Sequence, residues 1–317
     1  MKPVIEKDLR IEALKRFAIA ITILNIVGHS FLGFEQSWAH AVVALATTYS
    51  LEIFFEWLNC RLYGGTPKYR GSIRKAIYFL LPAHITALAV SMLLFTNENL
   101  MPVVFASAIA ICSKILLRIK VRRSERHFLN PSNTGIAVVL ILFPWIGIAP
   151  PYQFTENISG VWDWLLPAIF ISVGSMLNTK LTKRMPLILA WFGGFFLQAI
   201  IRSLILGTPV WAALNPMTGV AFLLFSFYMI SDPATTPVNT RDQVIFGSAV
   251  AFVYSALVLL HVVFGQFFAL LIVCSIRGIV LWMRSARPVT SIAVQPDLSH
   301  ASIEKVAEKE YYTVNQL

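Results

Sequence analysis

Two copies of one short polar pattern are the first candidates for chemistry in this sequence. Each copy has Asn-Pro, then Thr-Gly, then an apolar run. The copies consist of Asn130, Pro131, Thr134 and Gly135, and of Asn215, Pro216, Thr218 and Gly219. Asn is a favoured N-cap, Pro suits the first helical position, and Gly lets another backbone or a ligand approach closely. Free amides at a helix start favour anionic groups, so the copies predict two helix starts able to bind one.

A third polar stretch, SDPATTP, occupies residues 231–237. Asp232 and Pro233 again suit a cap and a first helical turn. Together with Thr235 they could hydrogen-bond a ligand, and the same residues equally fit a tight loop.

Charged residues inside apolar runs are the third group of candidates. Glu52 and Glu56 are four residues apart and therefore share a helix face, and Lys114 lies at a similar depth in another run. We expect a Glu-Lys cluster, whose role is either structural ion pairing or the handling of protons or ions. Arg277 also lies within an apolar run, without an obvious partner.

The elements that must position these residues are membrane-spanning helices. Hydrophobic residues make up 57% of the 317 residues, and the mean hydropathy is +0.69, well above that of soluble domains. Runs near the length needed to cross a bilayer recur along the chain. The sequence predicts ten: residues 17–34, 38–58, 76–95, 101–118, 134–149, 162–179, 186–206, 210–230, 243–263 and 266–284.

The distribution of basic residues supports ten spans. If the chain changes sides at each of the ten runs, both termini lie on one side of the membrane. Every Lys and Arg outside or at the ends of the runs falls on that side, and only Lys114, Arg202 and Arg277 lie within runs. Cytoplasmic loops are enriched in basic residues. We therefore predict a cytoplasmic segment 1–16, a polytopic membrane domain 17–284 and a cytoplasmic tail 285–317. The net charge of +10 then reflects topology and attraction to anionic lipid, with no nucleic-acid partner.

The two motif-bearing helices are the fifth and the eighth predicted spans, an offset of three, so these helices start from opposite faces. The expected fold is therefore an all-α membrane protein with inverted repeats, an architecture that places binding sites where helix ends converge. The sequence contains no H-E-x-x-H, nucleophile elbow or P-loop. Its three cysteines are not spaced as metal ligands or a disulfide framework, and no metal site is predicted.

Four stretches of the sequence, in order, resemble the NqrB/RnfD family: FLNPSNTG (128–135), GSMLNTK (174–180), FYMISDPATTP (227–237) and VIFG (244–247). Its members are the flavin-carrying membrane subunits of the sodium-pumping NADH:quinone oxidoreductase and of the Rnf electron-transport complex. The chain is also similar to the RnfD-like proteins of enediyne biosynthesis clusters. The resemblance covers roughly residues 75–282. It implies an inner-membrane location, a bound flavin, and other electron-transport subunits or a quinone as partners.

The resemblance and the motifs together give a set of expected cofactor-binding residues: Asn130, Pro131, Thr134, Gly135, Gly174, Ser175, Thr179, Asn215, Asp232, Pro233 and Thr235. The family attaches FMN to a threonine by a phosphoester. Here Trp162 occupies the corresponding position, and Leu177-Asn178 replaces a Gly-Glu pair of the family motif. The expected cofactor is therefore FMN or riboflavin held without a covalent bond.

Two functions from different classes follow from these observations. The first is a membrane redox protein that holds flavin and takes part in transmembrane electron transport. The second is a transporter for a small metabolite or a vitamin on the same inverted-repeat scaffold. A membrane component of a biosynthetic system, without chemistry of its own, is a third possibility.

Overall fold

The computed structural model describes residues 2–121, 124–150 and 154–286, so the predicted tail 285–317 lies almost wholly outside the described residues. The described chain is a bundle of helices joined by short segments. The helices are α1 (Lys2–Val27), α2 (Trp38–Tyr63), α3 (Ile73–Leu93), α4 (Met101–Leu116), α5 (Pro131–Leu142), α6 (Val161–Lys180), α7 (Met185–Leu206), α8 (Val210–Leu214), α9 (Val220–Leu224), α10 (Thr240–Leu259) and α11 (Gly265–Ala286).

Non-α segments interrupt this order at defined places. A π-helical turn, Gly28–Leu32, extends α1, and a second, Phe225–Met229, extends α9. A 3-10 turn, Asn215–Thr218, follows α8. Two small antiparallel ladders pair β1 (Leu94–Phe95) with β4 (Gly147–Ile148), and β2 (Arg118–Val121) with β3 (Ser124–His127).

Six of these helices are long and apolar enough to cross a bilayer: α2, α3, α6, α7, α10 and α11. Their outward surfaces carry exposed large apolar side chains such as Ile73, Leu204 and Phe252, which lipid can cover. These features confirm a helical multi-pass membrane protein.

The other four predicted spans are helical but are too short, too charged or too bent to meet the same criterion. α4 has 16 residues and α5 has 12, fewer than the roughly 20 that a full span needs. The first half of α1 is charged, which lowers its hydropathy. The eighth predicted span is broken, because Val210–Thr218 and Val220–Met229 meet at 68°.

The helix contacts of the first half recur in the second half. Each segment corresponds to the segment five positions later in the chain, with α8 and α9 counted together as one segment. α1 contacts α3 as α6 contacts α9, α2 contacts α4 as α7 contacts α10, and α4 contacts α5 as α10 contacts α11. α5 and α11, the last segments of the two halves, contact each other. The two Asn-Pro copies suggested an offset of three segments instead. That offset would match the contact between α2 and α4 with one between α5 and α7, and no comparable contact joins α5 to α7 in the described chain.

One end of the bundle gathers the segments that follow α1, α3 and α5. The β1–β4 ladder pairs Leu94 with Ile148 there. The amide of Asn157 donates to the Leu32 carbonyl at 3.4 Å, and the side chain of Gln36 donates to the Leu94 carbonyl at 3.5 Å.

The opposite end gathers the ends of α4 and α11 and the starts of α5, α7 and α10. β2, which follows α4, packs on α11, and Phe128 lies against Gly278 of that helix. The side chain of Gln243 in α10 donates to the Lys183 carbonyl before α7 at 3.1 Å. The candidate site lies at this end.

Candidate functional site

The first Asn-Pro copy begins a helix, as predicted. Asn130 caps α5 in an extended conformation, and its Oδ1 accepts from the Asn133 amide at 3.0 Å and from Ser132 Oγ at 2.9 Å. Pro131 is the first helical residue. Thr134 Oγ1 donates to the Asn130 carbonyl at 2.8 Å. These residues are buried, so the cap orders the α5 start inside the protein.

Gly135 explains the Thr-Gly part of this copy. A Cβ at Gly135 would overlap the backbone carbonyl oxygen of Ala106 in α4 and would lie 3.2 Å from the Ala110 Cβ. The predicted close approach at this glycine is therefore confirmed, and the approaching group is a helix backbone.

The second copy does not cap an α-helix, so the predicted N-cap at Asn215 is wrong. Asn215 has φ −49° and ψ −39°, because it continues the helical turn of α8, whereas an N-cap needs a non-helical backbone. It is exposed, and its carbonyl accepts from Thr218 Oγ1 at 2.8 Å within the 3-10 turn. Gly219 is the extended residue before α9.

The third polar stretch folds against the first. The side-chain amide of Asn130 donates to the Met229 carbonyl at 3.1 Å and to Asp232 Oδ2 at 3.5 Å. The other carboxylate oxygen, Oδ1, accepts from the Ala234 amide at 3.0 Å. Thr235 Oγ1 donates to Oδ2 at 3.3 Å. We call residues 230–237 the Asp232 loop. The carboxylate organises its turn, as the loop interpretation of SDPATTP predicts.

Two arginines donate hydrogen bonds to the Asp232 loop. Arg184, directly before α7, donates from Nε to Thr236 Oγ1 at 2.8 Å and from Nη2 to the Pro233 carbonyl at 3.4 Å. Arg277 of α11 donates from Nη1 to the Thr235 carbonyl at 2.7 Å. Arg277 therefore has a partner that its position in the sequence did not reveal, a backbone carbonyl 42 residues away.

The charge at this place is predominantly positive. Arg184 is 5% exposed, and burial lowers the pKa of Arg184 from its usual value. The positive charges of Arg277 and Arg126 act in the same direction, and only Asp232 acts against them. Three guanidinium groups, those of Arg126, Arg184 and Arg277, thus lie near two carboxylates, those of Asp232 and Asp242, and this excess of positive charge favours an added anion.

The second stretch of the family resemblance packs on the residues just before the Asp232 loop. A Cβ at Gly174 would lie 2.7 Å from Phe227 Cγ. Asn178 Nδ2 donates to the Phe227 carbonyl at 2.7 Å, and Asn178 Oδ1 accepts from Thr182 Oγ1 at 2.7 Å. The Asn that replaces the family's Glu is therefore a buried structural link between α6 and the π-helical turn.

The remaining expected residues are placed differently. Ser175 is half-buried and Thr179 is exposed on α6, and neither belongs to the hydrogen-bonded network around the Asp232 loop. Sequence reasoning missed Arg184 and Asn178 as members of that network. Arg184 resembles any basic loop residue in the sequence, whereas Asn178 was visible as a buried polar substitution in an apolar helix.

A flavin nucleotide fits the site in charge. Arg184, Arg277 and Arg126 could oppose its phosphate, which is the chemistry that guanidinium groups suit best. The buried Asn133 Oδ1 has no hydrogen-bond partner among the described residues. Trp162, at the start of α6, is 61% exposed and has no hydroxyl to form a phosphoester.

The predicted Glu-Lys cluster is present in part and lies apart from this network. Lys114 Nζ contacts Glu52 Oε1 at 2.6 Å, with both side chains mostly buried. Glu56 pairs with the exposed Lys68 at 2.9 Å rather than with Lys114. The two acidic residues of one helix face thus have separate partners.

Comparison of the chain with protein-family models and with curated protein sequences gives no match.

Proposed function

We propose that this protein is a membrane redox protein of the NqrB/RnfD type, which holds FMN or riboflavin without a covalent bond and takes part in transmembrane electron transport. In this proposal the chain crosses the inner (cytoplasmic) membrane ten times with both termini cytoplasmic. The five-segment offset between its halves is odd, so the two halves are inverted.

One observation carries the proposal. Three stretches that resemble the family are separated by about 40 to 100 residues in sequence, and they meet at one place. Asn130 of the first contacts Asp232 of the third, and Asn178 of the second contacts the Phe227 carbonyl of the third. Residues that serve only their own helix would not need to converge in this way.

The chain's own residues would position and polarise the cofactor. Arg184 and Arg277 supply positive charge beside the Asp232 loop, where buried positive charge stabilises an anionic group more strongly than it does in water. A flavin bound here would supply the electron-transfer chemistry itself. Other electron-transport subunits or a quinone would be its redox partners.

The test is flavin content. Protein purified in mild detergent should carry flavin absorbance, and denaturation should release the flavin into solution because the bond is not covalent. The Arg277→Gln variant should lose flavin, since it removes one of three guanidinium groups, whereas Lys180→Gln, an exposed charge removal on α6, should retain it. A colourless wild-type preparation that binds neither added FMN nor added riboflavin would contradict the proposal.

A transporter is the second candidate, favoured by the broken helices. α5 has only 12 residues, and its cap contacts Met229, the last residue of the broken eighth segment. Discontinuous helices that meet end to end are the sites where secondary transporters bind their substrates. Flux of riboflavin or another small metabolite into proteoliposomes, by flavin-free protein, would favour this function over the redox one.

A further inference from the structure

A groove between α1 and α3 lies outside the site described above. Its volume is about 470 Å³, within the range of roughly 300–1,000 Å³ typical of ligand pockets. The walls are aliphatic, and their rims include Ile19, Ile23 and Ile77, each more than half exposed. Because these rims face outward from apolar helices, the groove opens toward the surrounding lipid.

The floor of the groove carries three polar side chains whose donors are all used. Thr22 Oγ1 donates to the Ala18 carbonyl at 2.6 Å, so at its 2.7 Å contact with His84 Nε2 it must accept. The other ring nitrogen of His84 then accepts from Tyr49 OH at 2.6 Å. Since every donor already has an acceptor, an aliphatic chain can cover these side chains without burying an unpaired polar hydrogen.

The mouth of the groove is cationic. Lys15 of α1 and Arg74 of α3 lie 4.9 Å and 5.4 Å from the ring centre of Tyr78, and Arg74 Nε donates to the Tyr78 hydroxyl at 2.9 Å. Glu12 is the acidic side chain beside them, 3.8 Å from Lys15, and it also pairs with Arg16. The positive charges outnumber it.

The mouth and the groove are in register on both helices. Lys15 precedes the wall residues Ala18 and Ile19 by three and four positions, and Arg74 precedes Ile77 by three. Residues at this spacing share a helix face. Each helix therefore presents a cation first and an apolar wall one turn deeper, the order in which a phospholipid presents its phosphate and its acyl chain.

We propose that this groove binds one anionic phospholipid from the bilayer, with its phosphate between Lys15 and Arg74 and one acyl chain along the groove as far as His84. Basic residues at the membrane surface attract anionic headgroups, and the groove supplies a fixed place for the chain. The site is independent of the flavin proposal.

Retention of lipid by the purified protein, measured by native mass spectrometry, tests the proposal. Wild-type protein exchanged with equal amounts of phosphatidylglycerol and phosphatidylcholine should retain one molecule of phosphatidylglycerol in preference. The double variant Lys15→Gln/Arg74→Gln should bind phosphatidylglycerol about 30-fold more weakly. The matched double variant Lys180→Gln/Arg241→Gln removes two exposed charges elsewhere and should retain it.

A second variant tests the contribution of the groove to lipid binding separately from that of the charges. Ile77→Trp keeps both cations but fills the mouth of the groove, so retention should be lost, whereas Ile245→Trp on the exposed face of α10 should have no effect. Equal retention of both lipids by the wild type overturns the proposal without reference to any variant. A wild-type dimer that retains no phosphatidylglycerol and is cross-linked through α1 and α3 would also overturn it, because a second copy would then cover the groove.

Discussion

Gly135 lies where the backbones of α4 and α5 approach each other closely. It faces the backbone carbonyl of Ala106 in α4, and Gly247 of α10 faces the backbone carbonyl of Leu187 in α7 in the same way. These two helix pairs, α4 with α5 and α7 with α10, are among the most extensive contacts in the bundle. Small residues allow such backbone approach in membrane proteins, where packing replaces the hydrophobic effect as the driving force.

Gly135→Ala should therefore destabilise the protein although alanine is the better helix former. The added methyl group overlaps a backbone carbonyl that cannot move alone, and overpacking of this kind costs about 1–3 kcal/mol or more. Gly193→Ala on α7 is the matched control, since its methyl group meets nothing within 4 Å, and we expect it to be neutral or stabilising by up to about 1 kcal/mol. Thermal unfolding in detergent measures both. Equal melting temperatures for the two variants would contradict this account of Gly135.

Among the elements, α5 and the broken eighth segment show what a repeated motif does and does not determine. Asn130 and Asn215 both precede Pro, yet only Asn130 has the extended backbone of a cap. Asn130 also bridges to Met229 and Asp232, so it joins the start of α5 to the end of the π-helical turn. The hydrogen bonds of Asn215 stay within α8 and the 3-10 turn that follows it.

Asn130→Ala should be much more harmful than Asn215→Ala. The first removes an N-cap, worth about 0.5–2 kcal/mol, and leaves the buried Met229 carbonyl with only the longer bond from the Asp232 amide, 3.4 Å, at a further cost of up to about 1–3 kcal/mol. The second alters an exposed side chain, and we expect a change within about 0.5 kcal/mol. The melting temperatures of the two variants in the same detergent are the measurement. A drop of the same size for both would mean that the Asn130 bridge contributes nothing beyond an ordinary surface asparagine.

This pair also marks how much of the site could be predicted. The cap at Asn130 and the close approach at Gly135 depend on a few neighbouring residues, and both followed from the pattern. The failure at Asn215 depends on whether the preceding residues are already helical, which its own motif does not encode. Arg184 and Arg277 could not be assigned to the Asp232 loop because their partners lie about 40 to 50 positions away.

In the whole molecule, hydrogen bonds and packing sort the segment ends into two groups at opposite ends of the bundle. The segments after α1, α3 and α5 meet at one end, and the starts of α5, α7 and α10 meet at the other, with Arg184 and Arg277 among them. This sorting agrees with the alternating path on which the predicted ten-span topology rests, although α4, α5 and the eighth segment are individually short or broken.

Labelling of single cysteines tests that topology. With Cys60, Cys112 and Cys274 replaced by alanine, we expect Glu98→Cys and Glu156→Cys to react with a membrane-impermeant maleimide on intact cells. Lys180→Cys and Arg241→Cys should react only after the membrane is permeabilised, because they lie in segments assigned to the cytoplasm. All four native side chains are exposed, so access depends on the side of the membrane. Labelling of Glu98→Cys and Lys180→Cys from the same side would rule out ten alternating spans.

The sequence by itself determined the features that depend on short range or on composition. These are the apolar helices, the segregation of basic residues, the cap at Asn130 and the close approach at Gly135. Tertiary structure decided the five-segment offset of the two halves, the break in the eighth segment, the arginines around the Asp232 loop and the groove at His84. Each of these features depends on contacts between distant segments, such as Asn130 with Met229, 99 positions apart. Helix packing brings such residues together, and no local pattern in the chain specifies that packing.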